Sequence, residues 1–499
     1  METNRQIVFI MTDSQRADML NCYYQSGLKT PCLDQLAEQS IRFDKAYTCS
    51  PVCAPARSAI FTGVWPHANG VWSNELPLGN TMKTLGQRLS AQDVHCAYIG
   101  KWHLDGHDYF GDGVCPDGWD DDYWYDMRRY LEELSPEERA KSRMTQGEQG
   151  SEREFTFAHR CSNKAIKFLS EHGDEDFFLA VSYDEPHHPF LCPEPYASEY
   201  ADFEFPKSKN IWDQLDGKPE HQKVWGQGKL PNDKDAVKLI YTSFFGCNGF
   251  VDDEIGRVVS RVKELAPNAV IIFTSDHGDM LQSHCMGAKG PSPYEEIMRI
   301  PFIINWPGIT DRGVVFDKPV SHINIVPTIF DIMGLEKPRE IDGDSIYDVI
   351  LNPENAADRK IFFEYGRFGC VNDAAGGFQP LRGVFDGRYK LCINLLTSDE
   401  LYDLETDPEE MNNLIEAEET EAIRNSLHDD ILLWMNQTRD PFRGYYWHCR
   451  PWRKDAPEPS WSYTGKRRYE ASDVGEPTQL DYQNGVTVPQ DRGHYPEID

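Results

Sequence analysis

The chain of 499 residues is 39% hydrophobic and 26% charged, which gives it enough apolar side chains for a large core and excludes a disordered chain. It carries 82 acidic and 50 basic residues, a formal net charge of −32 at pH 7. A protein this acidic repels nucleic acids and anionic membranes, so we expect neither as a partner. An anionic ligand would therefore need a local basic pocket.

The apolar runs of the sequence are short. None approaches the roughly 18 residues that cross a bilayer, and the stretch Ile7–Met11 is too short for the core of a signal peptide. The 13 cysteines are scattered without a C-x-x-C pair, which favours neither a disulfide framework nor a zinc ribbon. We therefore predict a cytoplasmic protein, or a periplasmic or secreted one if a leader has been removed.

Four apolar runs that end in polar clusters predict strands buried on both faces. They are Ile7–Met11, Val94–Ile99, Phe177–Tyr183 and Ala269–Phe273. Helical patterns lie between them, at Thr81–Ser90, Phe155–Glu171 and Asp235–Leu265. This alternation is typical of an α/β fold with a large, mostly parallel sheet between helices. Because ligands bind beyond the carboxyl ends of such strands, we expect the polar clusters to meet at one edge.

After about residue 360 the pattern changes to short strands with close turns, which indicates a smaller antiparallel α+β subdomain. Its predicted elements are strands at Ile361–Tyr365, Gly383–Phe385, Tyr389–Asn394 and Glu400–Asp403, and an amphipathic helix at Ala417–Met435. We place a boundary near residue 370. The large domain then spans residues 1–370, and the C-terminal subdomain with its irregular tail spans residues 371–499.

The segment Ser50–Gly63 predicts a loop that enters a helix, because Pro55 suits a first turn and Gly63 a C-terminal cap. Cys53 then lies at the helix N-terminus, where the dipole stabilises negative charge, one turn before the cation of Arg57. The string C-A-P-A-R from Cys53 to Arg57 resembles the signature of the type I sulfatases of the alkaline phosphatase superfamily. In that family the cysteine is oxidised to formylglycine (3-oxoalanine).

Further segments resemble the same family, in the same order along the chain. They are Ile7–Asp13 (the first strand and first metal aspartate), Gly100–Leu104 (G-K-W-H-L), Pro186–Pro189 (P-H-x-P), Thr274–Gly278 (the second metal cluster), Lys289 with Tyr294–Glu296, and Leu401–Glu409. The resemblance therefore covers most of the chain and implies a formylglycine-dependent hydrolase.

The resemblance implies a set of site residues in this chain. The implied catalytic residues are Cys53, Arg57, Lys101, His103, His187 and Lys289. The implied metal ligands are Asp13, the modified residue at position 53, Asp276 and His277, with Ca²⁺ as the expected divalent metal. Ser14 stands where many relatives carry a second acid, and a hydroxyl is a weaker ligand for a hard cation. Lys101 and His103 alternate along a segment that we expect to be extended, so both should face the same side.

The chemistry of a sulfate monoester agrees with this set. The ester is an anion that resists attack by another anion, so the site must supply cations and a neutral nucleophile. The resemblance implies a formylglycine hydrate, one hydroxyl of which attacks sulfur while the other later loses its proton to His103 and expels sulfate. Arg57, Lys101 and Lys289 would balance charge, and His187 or Lys289 would protonate the leaving oxygen. Maturation would require a formylglycine-generating enzyme as a partner.

The tail from Phe442 to Arg453 interleaves aromatic side chains with arginine and histidine. Such side chains offer stacking surface and hydrogen-bond donors to sulfated sugars, although they could equally only anchor the tail. We predict that Arg450 and Arg453 bind substrate. The predicted substrate is a sulfated saccharide of the glycosaminoglycan type, hydrolysed in exo fashion.

Other functions remain open at this stage. An arylsulfatase, or a phosphonate or phosphate monoester hydrolase of the same superfamily, shares the cysteine signature and the metal cluster, although Lys101 and His103 follow the sulfatase pattern. A non-enzymatic alternative is an inactive binding protein with the same fold. Such a protein should have lost ligands, whereas only Ser14 departs from the pattern.

Overall fold

The computed structural model describes residues 4–106, 109–142, 152–226, 237–370, 377–438, 440–442 and 447, together with the backbone of two short strands near the C-terminus. Its strands are β1 (Gln6–Thr12), β2 (Ile41–Phe43), β3 (Ala46–Tyr47), β4 (His95–Gly100), β5 (Phe177–Ser182), β6 (Val270–Ser275), β7 (Phe302–Asn305), β8 (Val314–Phe316), β9 (Val320–Ser321), β10 (Ile361–Arg367), β11 (Phe378–Phe385), β12 (Tyr389–Asn394), β13 (Glu400–Asp403), β14 (Gln479–Asp481) and β15 (Val486–Val488). Its helices are α1 (Pro31–Ala37), α2 (Cys53–Thr62), α3 (Pro66–Asn69), α4 (Leu85–Ser90), α5 (Met127–Glu133), α6 (Pro136–Ser142), α7 (Phe157–His172), α8 (Tyr196–Glu199), α9 (Glu220–Gly226), α10 (Thr242–Leu265), α11 (Glu295–Met298), α12 (Ile325–Ile332), α13 (Tyr347–Leu351) and α14 (Glu421–Thr438).

A seven-stranded sheet forms the centre of the molecule, in the order β4-β5-β1-β6-β7-β2-β8. The neighbours β4, β5, β1 and β6 are parallel, whereas β7 runs antiparallel to both β6 and β2. The four apolar runs of the sequence are these four parallel strands. The predicted α/β fold with a large, mostly parallel sheet is therefore confirmed.

Strand β1 explains why these runs are apolar without alternation. Ile7, Phe9 and Met11 belong to one buried cluster, with side chains of α2 and α12, while Val8 and Ile10 belong to another, with α7 and α10. Successive side chains of a strand point to opposite faces, and helices cover both faces here. Every position of such a strand must therefore be apolar.

The predicted helices are present, and two of them begin at capping residues. Helix α10 begins at Thr242 without a side-chain cap, and its predicted start at Asp235 lies outside the described residues. Helix α4 begins at Leu85 rather than Thr81, because the Thr84 side chain accepts from the N–H of Gln87 and the N–H of Thr84 donates to the Gln87 side chain. In α7 the side chain of Thr156 likewise accepts from the N–H of His159. Each cap satisfies backbone donors of the first turn and so sets the helix start.

The C-terminal sheet consists of β10, β11, β12 and β13, all paired antiparallel, with α14 packed against it. The predicted smaller antiparallel subdomain is confirmed. Residue 370 lies between the paired strands β10 and β11, and the boundary at that residue stays a prediction. None of the helices in the described ranges has both the length and the apolar character that a membrane crossing requires.

Candidate active site

The carboxyl ends of the four parallel strands bring charged residues to one edge of the sheet. Asp13 follows β1, Lys101 follows β4, Asp184 follows β5 by two residues, and Asp276 follows β6. The Lys101 ammonium lies 2.7 Å from Asp13 Oδ2 and 3.0 Å from Asp184 Oδ1. All four residues are buried. The polar clusters thus meet at one edge, as the sequence predicts.

Helix α2 places Cys53 and Arg57 at this edge. It begins at Cys53, and Gly63 ends it with a left-handed φ of 69° and an N–H that donates to Ala59 O at 2.9 Å. Each residue of α2 is buried. Cys53 is therefore held at the N-terminus of a rigid helix, where backbone N–H groups favour negative charge.

The Cys53 thiol lies among charged side chains. Its sulfur is 2.8 Å from Lys289 Nζ, 3.3 Å from His277 Nε2 and 3.9 Å from Asp13 Oδ1. Burial and the charge of Asp13 raise the pKa of this thiol, but the nearby cations, Lys289 first and then Lys101, outweigh both, and the pKa lies well below its ordinary value. Position 53 is therefore a place where the protein stabilises negative charge.

Arg57 connects the two carboxylates of the site. Its Nη2 lies 3.2 Å from Asp13 Oδ2 and its Nε lies 3.1 Å from Asp276 Oδ2. Its Nη1 donates to Lys101 O at 2.7 Å and to Ser182 Oγ at 2.8 Å. The planar guanidinium binds partners at the ends of four strands, β1, β4, β5 and β6, so its position is fixed before any substrate binds.

A divalent cation fits the arrangement of four of these residues. Asp13, Cys53, Asp276 and His277 each offer one ligand atom, and these atoms lie within 4.8 Å of one another. Burial raises the pKa of Asp13, but Lys101 and other cations hold it well below its usual range, so the carboxylate is charged. Two carboxylates, an imidazole and position 53 suit a divalent metal ion.

Ser14 supports the two carboxylates. Its hydroxyl donates to Asp13 Oδ1 at 2.8 Å, and its backbone N–H donates to Asp276 Oδ1 at 3.2 Å. The hydroxyl is thus engaged with a ligand carboxylate. At the position where the resemblance implies a second acid, this chain therefore has a hydrogen-bond donor that orients the first.

His103 lies at the site, but its backbone conformation differs from the one that the sequence predicts. The extended conformation expected for this segment is wrong at His103, whose φ of 58° is left-handed. Burial lowers the pKa of His103, against a hydrogen bond with Cys53 that raises it, and the pKa lies below its ordinary value. Its Nδ1 has no hydrogen-bond partner among the described residues. A neutral imidazole beside position 53 can accept a proton.

His187 is positioned by residues that the sequence analysis did not single out. The Tyr109 hydroxyl donates to Asp184, lies 2.9 Å from His187 Nδ1, and belongs to a ring that stacks on the imidazole at 5.2 Å. His187 Nδ1 also lies 2.6 Å from His188 O, an atom that can only accept, so Nδ1 carries a proton. The other nitrogen, Nε2, faces the site, 4.0 Å from Asp13 Oδ1. In the sequence, Asp184 follows directly after the apolar run Phe177–Tyr183, and this was the available signal.

Glu185 is a buried acid beside this group. It is 2% exposed, and its Oε1 accepts from the N–H of Ala158 at 3.2 Å. Its Oε2 has no partner within the described residues. Burial, followed by the charge of Asp184, raises the pKa of Glu185 to about 8. The folded protein therefore keeps this carboxyl protonated at neutral pH.

We expect Glu185→Gln to flatten the pH dependence of stability. Between the unfolded pKa of 4.5 and the folded pKa of about 8, the native state holds a proton that the unfolded chain releases, so the free energy of unfolding falls as pH rises. Melting temperatures measured from pH 5 to 8 should fall less steeply in the variant. Glu199→Gln, on an exposed ion pair with Lys29, is the control. Parallel curves for the wild type and Glu185→Gln would refute the prediction.

Lys289 is carried by a strained loop that follows Met280. Met280 N donates to Ala288 O at 2.7 Å and closes the loop. The non-glycine residues of the loop with left-handed φ values are Leu281, Gln282, His284, Cys285 and Ala288. Each such residue costs roughly 1–3 kcal/mol, so surrounding contacts must hold the loop.

His284 is the main anchor of this loop. Its Nδ1 lies 2.6 Å from Asp213 Oδ2, its Nε2 lies 3.2 Å from Asn210 Nδ2, and its ring stacks on Tyr294 at 3.7 Å. Lys218 Nζ lies 2.5 Å from the same Asp213 oxygen. Asp213 and Lys218 are buried with His284. This group could not be predicted from the sequence, because its members act on Lys289 only through the folded loop.

We expect His284→Asn to lower kcat roughly tenfold to a hundredfold with little change in KM, because asparagine tolerates the left-handed backbone but loses the anchor. The same change in a Lys289→Ala background should add little, since both act through one group. His67→Asn is the matched control, since the His67 side chain is only 3% exposed and pairs with Glu364 in the C-terminal part. An equal loss of kcat in that control would assign the effect to general destabilisation.

The predicted substrate-binding residues Arg450 and Arg453 lie outside the described residues. Of the tail, the described residues Phe442 and Trp447 are buried in a cluster with α14. The roles of the two arginines stay predictions.

The sequence model of the sulfatase family matches residues 5–335, which include Asp13, Cys53, Asp276 and Lys289. The chain belongs to the sulfatase family. A second model, described as the C-terminal part of N-sulphoglucosamine sulphohydrolase, matches residues 292–437 of this sulfatase. An uncharacterized sulfatase of Escherichia coli (strain K12) is 43% identical to it over 488 residues, covering 96% of each chain.

Solved structures share the fold of this sulfatase. One is a protein in complex with its substrate D-glucosamine-2-N,6-O-disulfate; the TM-score is 0.71, with 22% identity, covering 87% of this chain and 98% of that one. Another is a phosphonate monoester hydrolase of Agrobacterium radiobacter, with a TM-score of 0.72 and 22% identity, covering 87% of this chain and 96% of that one. The fold alone thus accommodates both ester chemistries.

Proposed function

We propose that this sulfatase releases inorganic sulfate from a sulfated saccharide, a glycosaminoglycan-type fragment, through a formylglycine formed from Cys53. The observation that carries the proposal is the buried Cys53 at the start of α2, with Lys289 Nζ 2.8 Å from its sulfur. Sugar specificity is supported by the N-sulphoglucosamine sulphohydrolase description of the C-terminal match and by the disulfated glucosamine of the structural neighbour.

Asp13, Asp276 and His277, with position 53, would hold the divalent cation, for which Ca²⁺ is the proposed identity. When bound, such a cation lowers the pKa of a coordinated hydroxyl and offsets negative charge. A hydrated formylglycine supplies two hydroxyls on one carbon, one to attack sulfur and one to release the product. The maturation proposed here depends on a formylglycine-generating enzyme.

The cations of the site would bind the sulfuryl group. Lys289 faces position 53 directly, and Lys101 is buried between Asp13 and Asp184. Arg57 is held by both site aspartates. Fixed cations in a buried site stabilise the charge that develops on sulfuryl oxygens without reorganisation.

Two histidines are proposed to move protons. The Nδ1 proton of His187 is held by His188 O, so a second proton, on the site-facing Nε2 of the imidazolium form, is the one that would pass to the leaving oxygen. His103 is buried, with burial lowering its pKa, and it interacts with Cys53. His103 would therefore accept the proton whose loss releases sulfate.

A substrate comparison tests the proposal. We expect sulfated mono- and disaccharides to be hydrolysed with a higher kcat/KM than nitrophenyl sulfate, and Arg450→Ala with Arg453→Ala to lower kcat/KM for saccharides alone. Faster turnover of the aryl ester than of any saccharide would point to an arylsulfatase. An unchanged saccharide kcat/KM in the double variant would refute the role of the arginines.

The same assay decides the remaining alternatives. Its panel includes a phosphonate ester and a phosphate diester, because the fold is shared with a phosphonate monoester hydrolase. Preferred turnover of either would replace the sulfate assignment. Binding without turnover of any ester, by enzyme whose Cys53 is converted, would indicate an inactive binding protein.

A further inference from the structure

A second group of metal-ligand side chains lies at the opposite edge of the sheet from the active site. His95 begins β4, and His172 and Glu175 flank the turn between α7 and β5. Their ligand atoms lie within 4.8 Å of one another. The six residues of β4 separate His95 from the catalytic edge by about 20 Å, so this group belongs to neither the active site nor its supports.

Hydrogen bonds fix the proton positions of both imidazoles. His95 Nε2 lies 2.6 Å from Asp120 Oδ2, an acceptor, so the proton is on Nε2. The Tyr123 hydroxyl donates to Glu171 and therefore accepts from His172 Nε2 at 2.9 Å. Each ring thus donates its Nε2 proton to a hydrogen-bond partner outside the group, His95 to Asp120 and His172 to Tyr123. Nδ1 is then the nitrogen of each ring that remains for a second partner, which can be a proton shared with an acceptor or a cation.

Both Nδ1 atoms face the same carboxylate. His95 Nδ1 lies 3.1 Å from Glu175 Oε2, and His172 Nδ1 lies 2.9 Å from Glu175 Oε1. Two lone pairs and a carboxylate repel one another unless a positive charge lies between them. Two protons would create imidazolium rings whose centroids are 4.4 Å apart, whereas one divalent cation satisfies all three groups.

We propose that His95, His172 and Glu175 bind a zinc-type divalent ion through Nδ1, Nδ1 and a carboxylate oxygen. Two ligands on a tetrahedral zinc lie about 3.4 Å apart, close to the two nitrogen–oxygen distances. Asp120 and Tyr123 then act as the outer partners that orient metal-bound imidazoles. The ligands lie at the end of α7, in the following turn and at the start of β4. A bound ion would therefore cross-link these three segments.

The backbone holds these ligands in place without the ion. His95 N donates to Asp176 O at 2.9 Å, and His95 pairs with Phe177 across β4 and β5. Glu175 N donates to His172 O at 3.1 Å. The three side chains are partly exposed, from 23% for each histidine to 48% for Glu175, so an ion can enter from solvent.

Zinc binding to the full-length, tag-free enzyme tests the proposal. Protein stripped by a chelator and loaded with excess Ca²⁺ is dialysed against Zn²⁺, and bound zinc is measured by elemental analysis. We expect wild type to hold one equivalent of zinc more than His95→Gln or His172→Gln. Zn²⁺ should raise the melting temperature of wild type but not of these two variants. Cobalt substitution should give a visible absorption band that both variants lose.

His159→Gln is the matched control, since His159 lies on the same helix and pairs with Glu254 rather than Glu175. It should keep the extra equivalent. Sulfate release by the Ca²⁺-loaded enzyme should be the same in wild type and both site variants, which separates this ion from the catalytic one. Equal zinc content in wild type, His95→Gln and His172→Gln would overturn the proposal and leave a hydrogen-bonded ion group only.

Discussion

Cys53→Ala should abolish sulfate release, lowering kcat by at least about a thousandfold, because the substitution removes the precursor of the nucleophile. The fold should persist, since the change deletes one sulfur from a helix that is capped and packed along its whole length. Initial rates on a sulfate ester and a melting curve measure the two effects. Intact mass and peptide mapping of residues 45–60 report in the same samples whether position 53 is converted.

Cys49→Ala is the matched control for this experiment. Cys49 is also fully buried and lies four residues before Cys53 in the sequence. Its side chain, however, packs in a cluster with residues of the C-terminal sheet and α14. It should keep nearly full activity. Near-wild-type sulfate release by Cys53→Ala would rule out the formylglycine proposal, whatever the mass measurement shows.

Asp13→Asn is expected to have the second-largest effect, a loss in kcat of roughly a hundredfold or more, because one carboxylate serves several groups. Asp13 offers a ligand atom to the cation site and also neutralises Lys101 and Arg57. Removing one partner of a buried ion pair costs about 3–5 kcal/mol of stability. Melting temperature must therefore be measured beside kcat and bound metal.

Chelation of the wild-type enzyme tests the same site without changing the fold. We expect activity to fall on prolonged chelation and to return with Ca²⁺, and Asp13→Asn to show neither change. Asp44→Asn, on a half-exposed carboxylate paired with Arg42, is the control and should behave as wild type. Activity indifferent to chelation, with no metal in elemental analysis, would contradict a catalytic cation.

The parallel strands and the start of α2 could be predicted from the sequence because each rests on local constraints. A strand buried on both faces needs an unbroken apolar run, as in Ile7–Met11. A helix start needs few residues, as at Cys53 and Pro55, and Gly63 suits a left-handed cap. The start of α4 differs from the predicted one, because it depends on a single capping side chain, that of Thr84.

The sequence predicts that the polar clusters lie at one edge of the sheet, but it does not predict which of their atoms are in contact. Parallel strands place their carboxyl ends at one edge, so Asp13 and Asp276 had to be near each other. Which atoms meet depends on side-chain packing between distant segments. The bond from Arg57 Nε to Asp276 Oδ2, for example, joins residues 219 positions apart.

The sequence by itself determined the family, the α/β class and the charged residues of the edge, because these depend on residue types in order along the chain. Only the tertiary structure decided how those residues are held: the left-handed turn at His103, Tyr109 and Asp184 behind His187, and the anchor of the Lys289 loop at His284. The same holds for His95 and His172, which are 77 positions apart in the numbering and meet only when β4 pairs with β5. Contacts between remote segments depend on the packing of the whole chain, which local patterns do not encode.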